Sequence, residues 1–244
     1  MFTEKKRYGQ DPDVPSRSKT TFNAPLKWKE PKFVFTCSWS DFFIEEADPW
    51  REEAYEIMRQ TPQHTYQVLT KRISRTLERL PVPKLPNMWL GVSVENCAAK
   101  QRIHTLRLRD VAMRFLSIEP LLEDIGTLNL EGIGWVIVGG ESGPGARPMH
   151  PDWARGIRDQ CQDVGVSYFF KQWGEWSPNE PDSFIKVSGN RYSHKTFAWN
   201  RAGNAYSALN PTTDSFPSQM VYHVGKKAAG RLLDGRTWDE RPVV

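Results

Sequence analysis

The sequence predicts an α/β fold: a partial (β/α) barrel of about six parallel strands, followed by an irregular C-terminal extension. Three observations predict it. Six short runs of β-branched and aromatic residues recur with starts roughly 20 to 33 residues apart, room for a crossover helix between most of them. Segments of helical character fill those gaps, and strand alternating with helix means a parallel sheet covered by helices. Each strand run also ends in polar residues. A barrel gathers all its strand ends at one mouth, whereas an open doubly wound sheet concentrates its ligand groups at one switch point. Six decorated ends favour the barrel.

The elements follow in order. FVFTCSW (33–39) ends at Ser40 and Asp41. DPWREEAYEIMRQ (48–60) reads as a helix with Asp48 as N-cap and Pro49 at its first position. TYQVLT (65–70) ends in Thr70, Lys71 and Arg72, before a short amphipathic helix, ISRTLERL (73–80). MWLGVSV (88–94) supplies Ser93, Glu95 and Asn96. CAAKQRIHTLRL (97–108) then places Ile103, Leu106 and Cys97 on one helical side. MRFLSI (113–118) gives Ser117 and Glu119, and the link after it shows no clear helix. GWVIVGG (134–140) leads to Glu141 and Ser142, after which Gly143, Pro144 and Gly145 turn the chain. PDWARGIRDQCQDVG (151–165) is a helix that stops at Gly165. SYFFKQW (167–173) ends in Lys171 and Gln172. Turn residues without helical period dominate beyond about 174, and read as short strands and loops, a lid or small subdomain. VYHVGKKAAGRLLDGRTWDERP closes with a strand, a small basic helix and a Gly stop. The organisation expected is a basic irregular segment (1–32), the partial barrel (33–173) and an appended region (174–244).

Composition bounds the function. The chain has 244 residues, 39% apolar, with ten Trp, enough for a sizeable core. No run reaches the roughly 18 apolar residues of a membrane span. Glu4, Lys5, Lys6 and Arg7 have no apolar segment behind them, unlike an ordinary signal peptide. A cytoplasmic protein without membrane attachment is expected. Net charge is +4, and residues 1–32 carry eight Lys/Arg against four Asp/Glu, a balance that suits either nucleic acid or a solvated end. Cys37, Cys97 and Cys161 are far apart and unclustered, which reads as buried reduced thiols. His64, His104, His150, His194 and His223 form no metal-ligand spacing, and no hydrolase elbow is present.

The strand ends supply the candidate site. Lys71 and Lys171 suit a carboxylate or phosphate, and the alternative is a surface lysine. Glu95 and Glu119 suit ribose hydroxyls or a base role, or a salt bridge with Lys71 or Arg72. Gly139 and Gly140 allow close backbone approach. Glu141 disfavours a phosphate cradle and suits an amine-bearing ligand. Lys71, Glu119 and Lys171 are the catalytic candidates. Asp41, Thr70, Arg72 and Gln172 are the substrate candidates. Lys226, Lys227, Arg231 and Arg236, beside Trp238, are candidates for phosphates and a base, or form a solvated helix face.

QHTYQVLTKR, MWLGVSVEN, RFLSIEPLL, WVIVGGESGPGARPM, RDQCQDVGVSYFFKQWGEW and GKKAAGRLLDGRTWDE together resemble an uncharacterised family of phage and prophage proteins. That family is similar to radical S-adenosylmethionine (SAM) enzymes, and the resemblance covers nearly the whole chain. It implies a radical-SAM-like barrel, SAM, a [4Fe-4S] cluster and a second protein known as the three-Cys-motif partner. Ser93, Glu95, Asn96, Gly139, Gly140, Glu141 and Ser142 would then line the cofactor pocket, with Ser93 and Glu95 toward the ribose. The family's cysteine triplet lies near its N-terminus and ends in Cys-x-x-Cys-Tyr. Cys37, Cys97 and Cys161 do not reproduce that spacing, and the chain reads as lacking the cluster loop and the first strand. Met1 is therefore expected to be an internal methionine of a longer protein. The alternative is a truncated gene whose product is a cofactor-less barrel that binds nucleic acid or protein.

Overall fold

A computed structural model describes residues 16–18, 20–38, 40–78, 80–179, 186–187, 191–192, 196–199, 205–207 and 219–242. Glu4, Lys5, Lys6, Arg7, Trp39 and His194 lie outside the described residues. The fold is α/β. Six parallel strands form one sheet: β1 (Phe33–Thr36), β2 (Thr65–Thr70), β3 (Met88–Ser93), β4 (Met113–Ile118), β5 (Trp135–Gly139) and β6 (Ser167–Gln172). Their spatial order equals their chain order, the topology of a partial (β/α) barrel. The extension adds a four-stranded sheet of order β11-β10-β12-β7 from β7 (Trp176–Ser177), β10 (Thr196–Trp199), β11 (Ala205–Ser207) and β12 (Gln219–His223). A further pair joins β8 (Lys186–Val187) and β9 (Arg191–Tyr192). The helices are α1 (Asp48–Gln60), α2 (Arg75–Glu78), α3 (Gln101–Arg107), α4 (Pro151–Asp163) and α5 (Lys226–Ala229). No helix among the described residues is long and apolar enough to cross a membrane.

Contacts divide the chain into two compact units, Met1–Val92 with Arg102–Phe115, and Ser93–Gln101 with Leu116–Val244. In the first unit, Tyr66, Val68, Met88 and Leu90 are buried on one sheet face, and α1 buries Tyr55, Ile57 and Met58. The end of α1 is tied to β2 by the hydroxyl pair of Thr61 and Tyr66 at 2.5 Å, and Asn87 donates to the Met58 carbonyl at 2.9 Å. Pro62 follows and cannot prolong the helix. Asp48, expected as the N-cap, is instead the first helical residue, and its carboxylate goes to Arg51 at 2.7 Å and Arg75 at 3.0 Å. Two guanidiniums outcompete the backbone for it. β1 stops at Thr36 because Cys37 adopts φ 57°, a left-handed conformation incompatible with an extended chain.

In the second unit, α4 buries Ala154, Ile157 and Cys161. Val136, Val138, Tyr168 and Phe170 are buried on one face of β5 and β6. The Tyr168 hydroxyl donates to the Ala154 carbonyl at 3.1 Å. Gly165 follows α4 with φ 70°, as its stop position requires. The antiparallel sheet closes over Ala146, Trp176, Trp199 and Val221, with Trp153 and Phe197 packed against them. The C-terminal segment covers β6: Phe170 donates to the Trp238 carbonyl at 2.9 Å, and Tyr168 to the Glu240 carboxylate at 2.9 Å.

Two cysteine expectations are corrected. Cys161 is buried, but Cys37 and Cys97 are exposed. Cys97 opens a 3-10 turn (Cys97–Lys100) that precedes α3, so it does not share the buried side of Ile103 and Leu106.

Candidate functional site

The strand-end residues fall into two groups, one in each unit. In the first unit the centre is Asp41, just beyond β1. One carboxylate oxygen accepts from the Phe43 amide at 2.9 Å and the Thr70 hydroxyl at 2.7 Å. The other accepts from the Lys71 amide at 2.8 Å and lies 3.4 Å from the Arg72 guanidinium. Thr70 in turn accepts from the Arg72 amide at 2.8 Å. Thr70 is buried, whereas the Lys71 and Arg72 side chains are exposed. This arrangement fixes the loop after β1 to the end of β2 and commits the Asp41 oxygens to four donors.

In the second unit the ends of β3 to β6 line up through backbone bonds. Val94 donates to the Ser117 carbonyl, Leu121 to Gly139 and Gly140 to Gln172, at 2.9–3.0 Å. Ser93, Glu95, Ser117 and Gln172 are buried here. Glu119, half-buried, accepts from Lys171 Nζ at 2.9 Å and from Gln172 Nε2 at 3.1 Å. The alternative reading paired Glu119 with Lys71 or Arg72, and the cation bonded to it is Lys171 from β6. The β5–β6 register shifts between Val138 and Gly139, so that Gly139 pairs with Gln172. A Cβ on Gly139 would stand 3.1 Å from the Glu119 carboxyl carbon, so the glycine makes room for that carboxylate.

Gly140 answers to a different constraint. A Cβ there would meet the Trp173 carbonyl oxygen at 2.0 Å, and one on Gly174 would meet the Glu141 carbonyl oxygen at 1.9 Å. Two loops cross backbone to backbone at this point. Glu141 is held by Arg147, whose guanidinium donates at 2.6 and 2.8 Å and whose amide donates at 2.7 Å. Those bonds hold the Glu141 carboxyl below its ordinary range, although partial burial opposes them. The negative charge read from the sequence is thus neutralised within its own loop. Ser142 is exposed, and Asn96 caps the following turn by accepting from the Ala99 amide at 3.1 Å.

The C-terminal cations divide. Lys226 and Lys227 are exposed. Arg231 pairs with Asp239 and lies over Phe169, and Arg236 lies 3.5 Å from the centre of the Trp238 ring. Trp238 is buried, with Arg158 5.2 Å from its ring centre and its indole N–H on the Leu233 carbonyl. A buried ring between two guanidiniums is not a platform for a base. Arg155 and Arg158 converge on Asp234 and hold its carboxyl low.

Three positioning groups escaped sequence reasoning. Glu175 accepts from the Gly143 amide at 2.9 Å and the Lys226 amide at 3.2 Å. Arg147 and Asp234 are the others. Only Arg147 had a sequence signal, as the one cation in the loop that Glu141 opens.

A [4Fe-4S] cluster requires converging thiolates. Cys37 belongs to the first unit, Cys97 donates to the Asp124 carbonyl, and Cys161 is buried with its thiol pushed up to about 12 by burial. No group of three or more His, Cys, Asp or Glu among the described residues is placed to hold a metal ion. The described cysteines do not fit the cluster. A family model described as protein of unknown function, DUF5131, matches residues 3–242. The chain belongs to the DUF5131 family. No curated protein and no solved structure matches it. Within this DUF5131 chain, the Glu119–Lys171–Gln172 group combines partial exposure with charged side chains drawn from two strand ends.

Proposed function

We propose that this DUF5131 protein is a radical-SAM-like barrel acting on a nucleotide or nucleic acid. The ligand is held at the ends of β3 to β6 in the second unit. The observation that carries the reading is the Glu119–Lys171 pair, held by side chains rather than by backbone. A lysine ammonium has three donors, and the bond to Glu119 uses one. Lys171 is therefore suited to a ligand carboxylate or phosphate, and buried Ser93 and Glu95 to ribose hydroxyls. SAM fits this assignment as a ligand bearing a carboxylate, an amine and a ribose. Radical formation from SAM would need an electron from a cluster that the described cysteines do not fit, so the residues of this chain are assigned only to binding and orienting it. The phage setting and the three-Cys-motif partner rest on the resemblance alone.

Calorimetry with SAM, nucleoside triphosphates and short oligonucleotides tests the reading. Saturable binding of at least one is expected, weakened about tenfold or more by Lys171→Met with the circular dichroism spectrum unchanged. No binding of any of them would sink it. A second reading, a cofactor-less barrel that binds nucleic acid, is favoured by the burial of Cys161, whose protonated thiol is not available as a cluster ligand. Oligonucleotide binding without SAM binding would select it.

A further inference from the structure

Helix α4 begins on an imidazole. His150 is its N-cap, and Nδ1 accepts from the Asp152 amide at 3.1 Å. The usual caps are Ser, Thr, Asp and Asn, whose oxygens accept throughout the neutral range. An imidazole nitrogen accepts only while it carries no proton. This cap therefore needs the neutral ring, with its proton on Nε2.

The same ring joins α4 to the antiparallel sheet. It meets Trp199 of β10 edge to face, with centroids 4.8 Å apart and planes at 75°, and lies 5.8 Å from the Trp153 ring on α4. Trp153 and Trp199 meet at 5.9 Å, and Trp199 is buried in the core that this sheet closes. Helix, sheet and cap thus share one side chain, all within the second unit.

A second acceptor stands nearby. One Asp152 carboxylate oxygen is 3.9 Å from Nδ1, and the other accepts from Arg155 at 2.7 Å. A protonated Nδ1 faces the Asp152 amide donor to donor, and its available acceptor is that carboxylate. The ring must turn to reach it, and its contacts with the two tryptophans change as it turns. Among the described residues, the charged groups acting on the ring are Asp152 and Arg155 of α4 and Asp124 from the link after β4. β10 brings only uncharged side chains, Thr196–Trp199. Burial holds the His150 pKa below its ordinary value, with Arg155 adding to the effect and Asp152 and Asp124 opposing it. The positive end of the α4 dipole also disfavours a cation there.

We propose that His150 is a pH-sensitive coupling between α4 and the antiparallel sheet. Neutral, it caps the helix and packs on Trp199. Protonated, it exchanges the Asp152 amide for the Asp152 carboxylate and loosens the Trp153–Trp199 contact. Because the folded value is depressed, the cap is intact above pH 6.5 and is lost as pH falls through that folded value. The device is separate from the Glu119–Lys171 site and does not depend on what binds there.

Amide hydrogen exchange of the full chain at about pH 7.5 and about pH 5.5, corrected for intrinsic rates, is the test. The Asp152 and Trp153 amides both bond to His150. In wild type their protection, and that of β10, is expected to fall about fivefold at the lower pH, the size of one lost cap. His150→Asn supplies an acceptor that does not titrate, so the fall disappears. Asp152→Asn keeps the backbone donor but removes the charge that draws the protonated ring, so the midpoint moves to lower pH. Asp152 is exposed, which keeps the inference testable if His150→Asn folds poorly. Equal protection at the two pH values in wild type overturns the inference. A fall that persists in His150→Asn overturns it as well, assigning the transition to another group. A fall confined to α4, with β10 unaffected, overturns the coupling to the sheet.

Discussion

Asp41 and Glu119 are both acids placed just beyond a strand, and the sequence marks both as candidate site residues. Their surroundings differ in kind. Asp41 is bonded to two backbone amides and a buried hydroxyl, all from its own loop or the end of β2. Glu119 is bonded to two side chains from β6. A carboxylate committed to backbone amides cannot change partners unless its loop refolds. One committed to Lys171 and Gln172 can exchange them for a ligand when two side chains turn. An acidic residue at a strand end is therefore a latch or a candidate site according to what it is bonded to.

The largest test of that difference is Asp41→Ala. It leaves two amides and the Thr70 hydroxyl without their acceptor, with an expected cost of about 2–4 kcal/mol, read as a lower urea midpoint. Next is Glu119→Gln. Its partner ammonium is half exposed, so stability changes by less than about 1 kcal/mol, while ligand affinity falls by about tenfold. Equal stability losses in the two variants would break the comparison.

Acid extends it to pairs that are neither latch nor site. Arg147 holds the Glu141 carboxyl below 4.5. Arg155 and Arg158 hold that of Asp234 below 3.8, against the opposing burial. A depressed folded value stabilises above the unfolded value and is lost as pH falls through the folded one. Stability should therefore decline below pH 4.5, and Glu141→Gln combined with Asp234→Asn should flatten the decline. The smallest effect is expected from Gly139→Ala. Its added carbon displaces only the flexible Glu119 side chain, so affinity drops a few-fold with the urea midpoint nearly unchanged.

Much of the fold was legible because short runs rich in β-branched and aromatic residues, bounded by polar ends, read as strands. TYQVLT and MRFLSI match β2 and β4 end to end. What failed depended on partners distant in sequence. Asp48 was read as a cap because nothing local reveals that Arg75 arrives 27 residues later. Nor does anything local reveal what stands next to Gly139 and Gly140. Their neighbours, the Glu119 carboxylate and the Trp173 carbonyl, come from other strands. Composition likewise could not separate the exposed Cys37 and Cys97 from the buried Cys161.

That division of the cysteines has a practical reach. A thiol pushed up to about 12 stays protonated near neutrality and inert to maleimides, so Cys161 should remain unlabelled in the native protein. Cys37 and Cys97 are exposed and sit in different units. The wild-type chain thus carries a ready-made pair of attachment points for spin labels or dyes. A distance measured between them, with and without ligand, would report directly on whether the two units move against each other.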